Sequence, residues 1–387
     1  MIPYSRQEIT EEDILEVEKI LRSDFLTQGP AVPKFEQAIA SYCGAKYAVA
    51  VNSATSALHI ACLALNLGPG DLLWTSPNTF VASANCGRYC GADIDFVDID
   101  PKTYNMSVDV LSEKLLKAEK LGKLPKIVVP VHFAGQPCDM IEISKLAKKY
   151  NFKIIEDASH AIGASYNKIK VGSCVHSDIT VLSFHPVKII TTAEGGMALS
   201  NNKDIVDKMS RLRAHGITND KTKFKERAKD EIWNYQQIEL GFNYRMNDIQ
   251  AALGLNQMKR LDEYIERRHN IAEYYDKEIK KLPLITPWQA PGVYSSYHLY
   301  PILVNNISKI KTQKQIYDEL RKNNIAVNLH YVPVHRHPYY EDIGFKKNDF
   351  PIIERLHKEI ITIPLYPTLK KEQQEYVVEA LKKVTTV

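Results

Sequence analysis

Tyr47-Ala48-Val49-Ala50-Val51 runs straight into Asn52-Ser53-Ala54-Thr55-Ser56-Ala57-Leu58, and this junction sets the fold. The first run is short, apolar and valine-containing, as a buried strand is. From Thr55 to Leu65 the apolar residues recur at helical spacing. Gly68-Pro69-Gly70-Asp71 then supplies turn chemistry that stops the helix. The same alternation continues to about residue 200. Leu72 to Thr75 reads as a strand, Thr79 to Tyr89 as a helix, and Ile94 to Val97 as a strand. A helix follows from about Val108, then a strand at Ile127–Val131, a helix from Met140 to Tyr150 and a strand at Lys153–Glu156. Strands alternating with helices predict an α/β fold with a large, mostly parallel, doubly wound sheet flanked by helices. Ligands of such sheets sit at the carboxyl ends of the strands. Two further strands, near Ile179–Val181 and Gly196–Leu199, have no full helix between them, so the sheet is expected to be mixed.

Outside this region the pattern changes. Residues 219–231 are dense in charge and read as a solvated loop or exposed helix. From Asn247, Ile249, Ala252, Leu253, Leu255, Met258 and Leu261 begin a long helical pattern that continues to about Lys280. With 387 residues the chain exceeds one ordinary domain. The expected division is a large domain over 1–258 and a smaller α+β domain over 259–387. The latter would hold a strand at His298–Val304 and helices near 311–323 and 370–383.

A hydrophobic share of 44% and a charged share of 25% are ordinary for a soluble globular protein. A net charge of +4 is too small at this length to indicate a nucleic-acid partner. The N-terminus lacks an apolar signal core and no apolar run is long enough for a bilayer, so a cytoplasmic protein without a membrane partner is expected. The six cysteines are scattered without paired metal spacing; buried thiols and no metal site are expected.

Three stretches carry candidate chemistry. In Ser183-Phe184-His185-Pro186-Val187-Lys188-Ile189-Ile190-Thr191-Thr192-Ala193-Glu194-Gly195-Gly196 a lysine sits among apolar residues. Most lysines are merely exposed. A desolvated one has a depressed pKa and becomes an amine suited to a Schiff base. In Ile154-Ile155-Glu156-Asp157-Ala158-Ser159-His160-Ala161, Asp157 falls at the end of a buried strand. It is either a helix N-cap or a carboxylate facing a pyridinium nitrogen. Asn52 to Leu58 opens a helix with small hydroxyl residues, which suits either capping or an anion. No GxGxxG or GxxxxGK[ST] phosphate loop occurs.

Together these stretches resemble the DegT/DnrJ/EryC1/StrS sugar-nucleotide aminotransferases. The resemblance extends through Leu26-Thr27-Gln28-Gly29-Pro30, Pro77-Asn78-Thr79-Phe80, Arg213-Ala214-His215-Gly216 and Gly241-Phe242-Asn243-Tyr244-Arg245-Met246. It continues in His330-Tyr331-Val332-Pro333-Val334-His335 and Ile363-Pro364-Leu365-Tyr366-Pro367. It implies the type I aminotransferase fold and pyridoxal 5′-phosphate as cofactor. Lys188 is then the covalent anchor and proton carrier, and Asp157 the partner of the pyridinium nitrogen. Phe80 stacks on the ring, while Ala54, Thr55 and Ser183 hold the phosphate. Asn243 reaches that phosphate from a neighbouring subunit, which makes the active unit a homodimer with shared sites. His160 stands where many members have glutamine, beside the ring hydroxyl. Gln28, Arg245 and His330 are candidate substrate contacts. Taken singly, Phe80 could be a core aromatic, Asn243 a turn residue, Ser183 a structural hydroxyl and Arg245 a surface ion-pair partner.

Within the family the wording of the Lys188 stretch is most similar to a branch of pseudaminic acid biosynthesis. That branch implies L-glutamate as donor and a UDP-linked 4-keto-6-deoxy-N-acetylhexosamine as acceptor. Branches making bacillosamine, perosamine or aminoarabinose precursors are the alternatives. Two other classes share the scaffold. Sugar dehydratases resembling the family carry histidine at the anchor position, where this chain has Lys188, and a non-catalytic sensor would not need the Lys188–Asp157 pair. No DNA-binding segment is expected ahead of the fold.

Overall fold

A computed structural model describes residues 1–228, 230–304 and 311–385. After α1 (Glu11–Leu21) and α2 (Ala31–Cys43) come β1 (Tyr47–Val51), α3 (Ala54–Ala64), β2 (Leu72–Thr75), α4 (Ala82–Tyr89) and β3 (Asp93–Phe96). Next are α5 (Val108–Leu121), β4 (Ile127–Val129), α6 (Met140–Tyr150), β5 (Lys153–Asp157), and the short β6 (Ser165–Tyr166) and β7 (Ile169–Lys170). The sheet region closes with β8 (Ile179–Ser183), β9 (Gly196–Ser200) and α7 (Lys203–Leu212).

The seven-stranded sheet has the order β1-β9-β8-β5-β4-β2-β3. β9 is antiparallel to both of its neighbours, and the remaining pairings are parallel. The mixed sheet expected from the missing crossover helix is therefore present. β8 and β9 are joined by the loop that carries Lys188. That loop is pinched at its neck, where Phe184 N–H donates to Gly195 O at 3.0 Å and Thr192 N–H to Phe184 O at 3.0 Å. Gly196 is required by close approach: a Cβ there would lie 2.5 Å from the backbone nitrogen of Ala54. Without a side chain, β9 lets the start of α3 settle directly over the sheet.

Among the predicted elements that differ in their bounds, three have a local cause. The helix expected from Thr79 begins at Ala82, because the Thr79 hydroxyl bonds the Ser83 hydroxyl and Phe80 turns outward. The strand expected from His298 begins at Tyr300, because His298 lines a cavity. The long pattern from Asn247 is divided into α8 (Asp248–Gln257) and α9 (Leu261–Ile279) by a 3-10 turn over Met258–Arg260. At that turn Arg260 swings to the buried Asp13 of α1, with an Nη2–Oδ2 distance of 2.6 Å. Between α7 and α8 lies a pair of two-residue strands, β10 (Ile217–Thr218) and β11 (Gln236–Gln237). The predicted solvated stretch 219–231 is there and almost wholly exposed, with Lys229 outside the described residues.

The chain beyond α9 contributes β12 (Val293–Tyr294), β13 (Tyr300–Leu303), α10 (Gln313–Lys322), α11 (Pro338–Asp342), α12 (Pro351–His357), β14 (Ile360–Ile363) and α13 (Lys371–Thr385). α9 joins two cores: Leu261, Tyr264 and Ile265 pack beneath the large sheet, and Ile271, Tyr275 and Ile279 pack with β13, β14 and α13. Residues 2 and 5 reach this second core and the Lys188 loop respectively. Ile2 bonds backbone to backbone with Asn324 and Ala326, and the Ser5 hydroxyl donates to Val187 O at 3.0 Å. All six cysteines are buried and unpaired. No helix among the described residues is long and apolar enough to cross a membrane.

Candidate active site

The carboxyl ends of β5 and β8, the start of α3 and the Lys188 loop surround a cavity of about 420 Å³. Ala54, Thr55, Phe80, Asp157, His160, Ser183, Lys188 and His330 all line it. Eight residues singled out in the sequence, from segments up to 276 positions apart, thus meet at one place.

Asp157 is the final residue of β5 and only 5% exposed. It does not cap a helix. Its Oδ2 accepts from the Ser83 hydroxyl at 2.6 Å, and its Oδ1 accepts from Ser159 N–H at 3.1 Å. Ser83 is itself 2.7 Å from the Thr79 hydroxyl, so a buried hydroxyl chain orients the carboxylate. A hydrogen bond to a charged group contributes about 1.5–3 kcal/mol. Ser83→Ala is therefore expected to lower the unfolding free energy by about 1.5–3 kcal/mol in a urea titration.

Lys188 is pushed down to about 8 by desolvation, with Asp157's negative charge opposing the shift. Its amine is thus substantially neutral under mildly alkaline conditions, where an ordinary lysine near 10.4 is protonated. In cofactor-free protein, acetylation of Lys188 followed by peptide mass spectrometry is expected to reach half its maximal rate near pH 8. A midpoint near that of surface lysines would contradict the dry pocket.

The surrounding histidines tell the same story. Burial and the Lys188 charge hold His160 well below its ordinary range. His330 is pushed down to about 3 by the same two causes. Burial and the charges of neighbouring groups, Lys188 among them, also lower His298. The site therefore favours neutral amines and imidazoles. The tautomer of His160 is fixed by its neighbours. Ala134 N–H donates to Nδ1 at 3.3 Å, so in the neutral ring Nε2 carries the hydrogen, and it lies 3.0 Å from the Tyr331 hydroxyl.

At α3 the Ser53 side chain accepts from Ser56 N–H, and the helix begins at Ala54. The Ala54 and Thr55 N–H groups have no backbone acceptor among the described residues and border the cavity. Unspent donors at a helix start form an anion site. The whole arrangement fits pyridoxal phosphate: a buried carboxylate for the ring nitrogen, a helix start for the phosphate, a neutral-tending lysine and an exposed aromatic face on Phe80, which is 59% accessible.

Other predicted residues lie elsewhere in the chain. Gln28 and Arg245 line a separate cavity of about 260 Å³, with Arg213 and Met246. Within one chain they do not border the Lys188 cavity, because the 243–246 segment runs along the outer side of β1. There Tyr244 O accepts from Asn52 N–H at 2.8 Å. Asn243 is exposed beside Asn52, its carbonyl 3.4 Å from the Asn52 amide nitrogen. Conversely, Tyr4, Ser83, His298 and Tyr331 belong to the site and were not assigned from sequence. Ser83 carried one usable signal, a hydroxyl four residues after Thr79. Tyr4 carried none.

A lysine and a buried aspartate at the strand ends of this fold, beside a helix-start anion cradle, define a pyridoxal-phosphate-dependent aminotransferase with the type I fold. The chain belongs to the DegT/DnrJ/EryC1/StrS aminotransferase family, whose profile matches residues 7–382. It is 38% identical over 384 residues to a UDP-4-amino-4,6-dideoxy-N-acetyl-beta-L-altrosamine transaminase of Campylobacter jejuni, covering 98% of this chain and 96% of that one. It is 34% identical to the GDP-perosamine synthase of Caulobacter vibrioides, covering 92% and 90% of the two chains. Among solved structures, Helicobacter pylori PseC, an aminotransferase involved in the biosynthesis of pseudoaminic acid, superposes with a TM-score of 0.87 at 31% identity, covering 99% of both chains.

Proposed function

We propose that this protein moves the amino group of L-glutamate to C4 of a UDP-linked 4-keto-6-deoxy-N-acetylhexosamine. The products are UDP-4-amino-4,6-dideoxy-N-acetyl-β-L-altrosamine and 2-oxoglutarate, in the pseudaminic acid pathway of the cytoplasm. The observation that carries the amino transfer is the dry Lys188 amine sharing one cavity with the buried Asp157 carboxylate. The acceptor sugar is supported by the likeness to the altrosamine transaminase along nearly the whole chain.

When bound, pyridoxal phosphate supplies a ring that stores the electron pair released when a C–H bond is broken. The chain's own residues do the rest. Lys188 would hold the cofactor through its side-chain amine, and that amine, neutral when free, would take and return the proton. Asp157 would partner the ring nitrogen and keep it charged. Phe80 and the His160 Nε2–H would help hold the ring. Ala54 N–H, Thr55 N–H and the Ser183 hydroxyl would hold the phosphate. The exposed Asn243 is assigned to the phosphate of a second copy, so the working unit is a homodimer. Gln28 and Arg245 then become substrate contacts of that second copy as well, and His330 contacts substrate within its own chain.

The GDP-perosamine synthase relative favours a second reading, a different nucleotide-linked 4-keto sugar at the same site. Incubating the holoenzyme with glutamate and a panel of UDP-, GDP- and dTDP-4-keto sugars separates the two. Formation of the altrosamine product, identified by NMR, with a kcat/KM at least about tenfold above the others, is the expected result. Preference for a GDP sugar would replace the first reading by the second.

A further inference from the structure

A second cavity of about 440 Å³ lies away from Lys188, between the chain just after β3 and the α12 region. Its aromatic surface is Trp288, 43% exposed, with the buried Tyr104 beside it. Apolar walls come from Ile285, Leu303 and Leu356. Three ionisable groups face it: Lys102, Arg355 and Glu359. Lys102 Nζ sits 5.8 Å above the Trp288 ring. Neither Lys102 nor Arg355 forms an ion pair among the described residues, and the Arg355 charge acts on Glu359 across the cavity. The Glu359 carboxylate has no side-chain hydrogen bond or ion pair among those residues, and burial raises it against the lowering effect of the Arg355 charge.

An exposed indole, two cations outside any ion pair among the described residues and one carboxylate without a side-chain hydrogen bond there form a recognition set on one cavity wall. The cations suit a phosphate. The indole suits a planar ring, since stacking on aromatic faces contributes about 1–3 kcal/mol per base. Glu359 would repel a ligand that is anionic throughout, so the ligand must also offer an N–H or O–H donor. A volume in the range of small-molecule sites, about 300–1,000 Å³, accommodates such a compound. We propose that this cavity is a second, non-catalytic binding site for a nucleoside phosphate. The base lies on Trp288, the phosphate on Lys102 and Arg355, and a base or ribose donor on Glu359. The site does not depend on the reading of the Lys188 cavity.

The test is calorimetry of the holoenzyme with UMP and with AMP, using uridine and inorganic phosphate as fragments. The wild type is expected to bind at least one nucleotide with Kd below about 1 mM. Trp288→Ala and the double variant Lys102→Ala/Arg355→Ala are expected to weaken that binding at least tenfold, with melting temperature and the rate of the glutamate half-reaction unchanged. Quenching of tryptophan emission by nucleotide should disappear in Trp288→Ala. Binding that survives intact in both variants would place the nucleotide at the Lys188 cavity and overturn the proposal. So would the absence of any binding, or inorganic phosphate binding as tightly as the nucleotide.

Discussion

Lys188→Ala is expected to reduce turnover by at least about 10⁴-fold, because one amine performs both attachment and proton transfer. Proton transfer by a placed side chain alone contributes about 10²–10⁴-fold, and the covalent route is lost with it. The fold should persist. The side chain is partly open to the cavity, and its removal takes away a desolvated charge rather than a packed core group. Borohydride treatment of the wild-type holoenzyme should fix the cofactor's mass on the peptide containing Lys188. The same treatment of the variant should leave that peptide unmodified. Cofactor fixed on another lysine of the variant, with activity retained, would remove Lys188 from its assigned place.

Asp157→Asn is expected to lower kcat by on the order of 10³-fold, with a smaller change in KM. The amide is nearly isosteric, and its oxygen can still accept from Ser83 or Ser159, so the hydroxyl chain that positions it survives. What disappears is the negative charge that keeps the ring nitrogen protonated, and that charge acts on the transition state. The same substitution has a second readout. Asp157 raises the Lys188 pKa against desolvation. Removing the charge should shift the Lys188 acetylation midpoint in cofactor-free protein below about 8, never above it. Loss of activity without that downward shift would mean that the two side chains do not sense one another.

The strands were readable because each is a short apolar run stopped by local turn chemistry, as Leu72–Thr75 is after Gly70-Asp71. Their lateral order was not. β9 inserts between β1 and β8, and no local signal specifies a pairing between Tyr47 and Ser200. The break between α8 and α9 was hidden for the same reason, since the carboxylate that draws Arg260 aside is contributed by Asp13. The site divides likewise. Lys188 and Asp157 stood out because an ionisable group in an apolar run is conspicuous by itself. Ser83 and Tyr331 acquire meaning only once β5 brings Asp157 and His160 against them. Gln28 and Arg245 show the converse: a matching stretch indicates a residue's neighbours in sequence, but not the cavity that it faces.

Ile2 and Ser5 have partners at Asn324, Ala326 and Val187, so contacts of very long sequence separation hold the segment that carries Tyr4. Closing loops of that length costs entropy that local contacts do not. Tyr4 lines the Lys188 cavity, although Asn324 and Ala326 belong to no strand of the seven-stranded sheet. The wall of the pocket is thus tied to a part of the chain that the sheet itself does not organise.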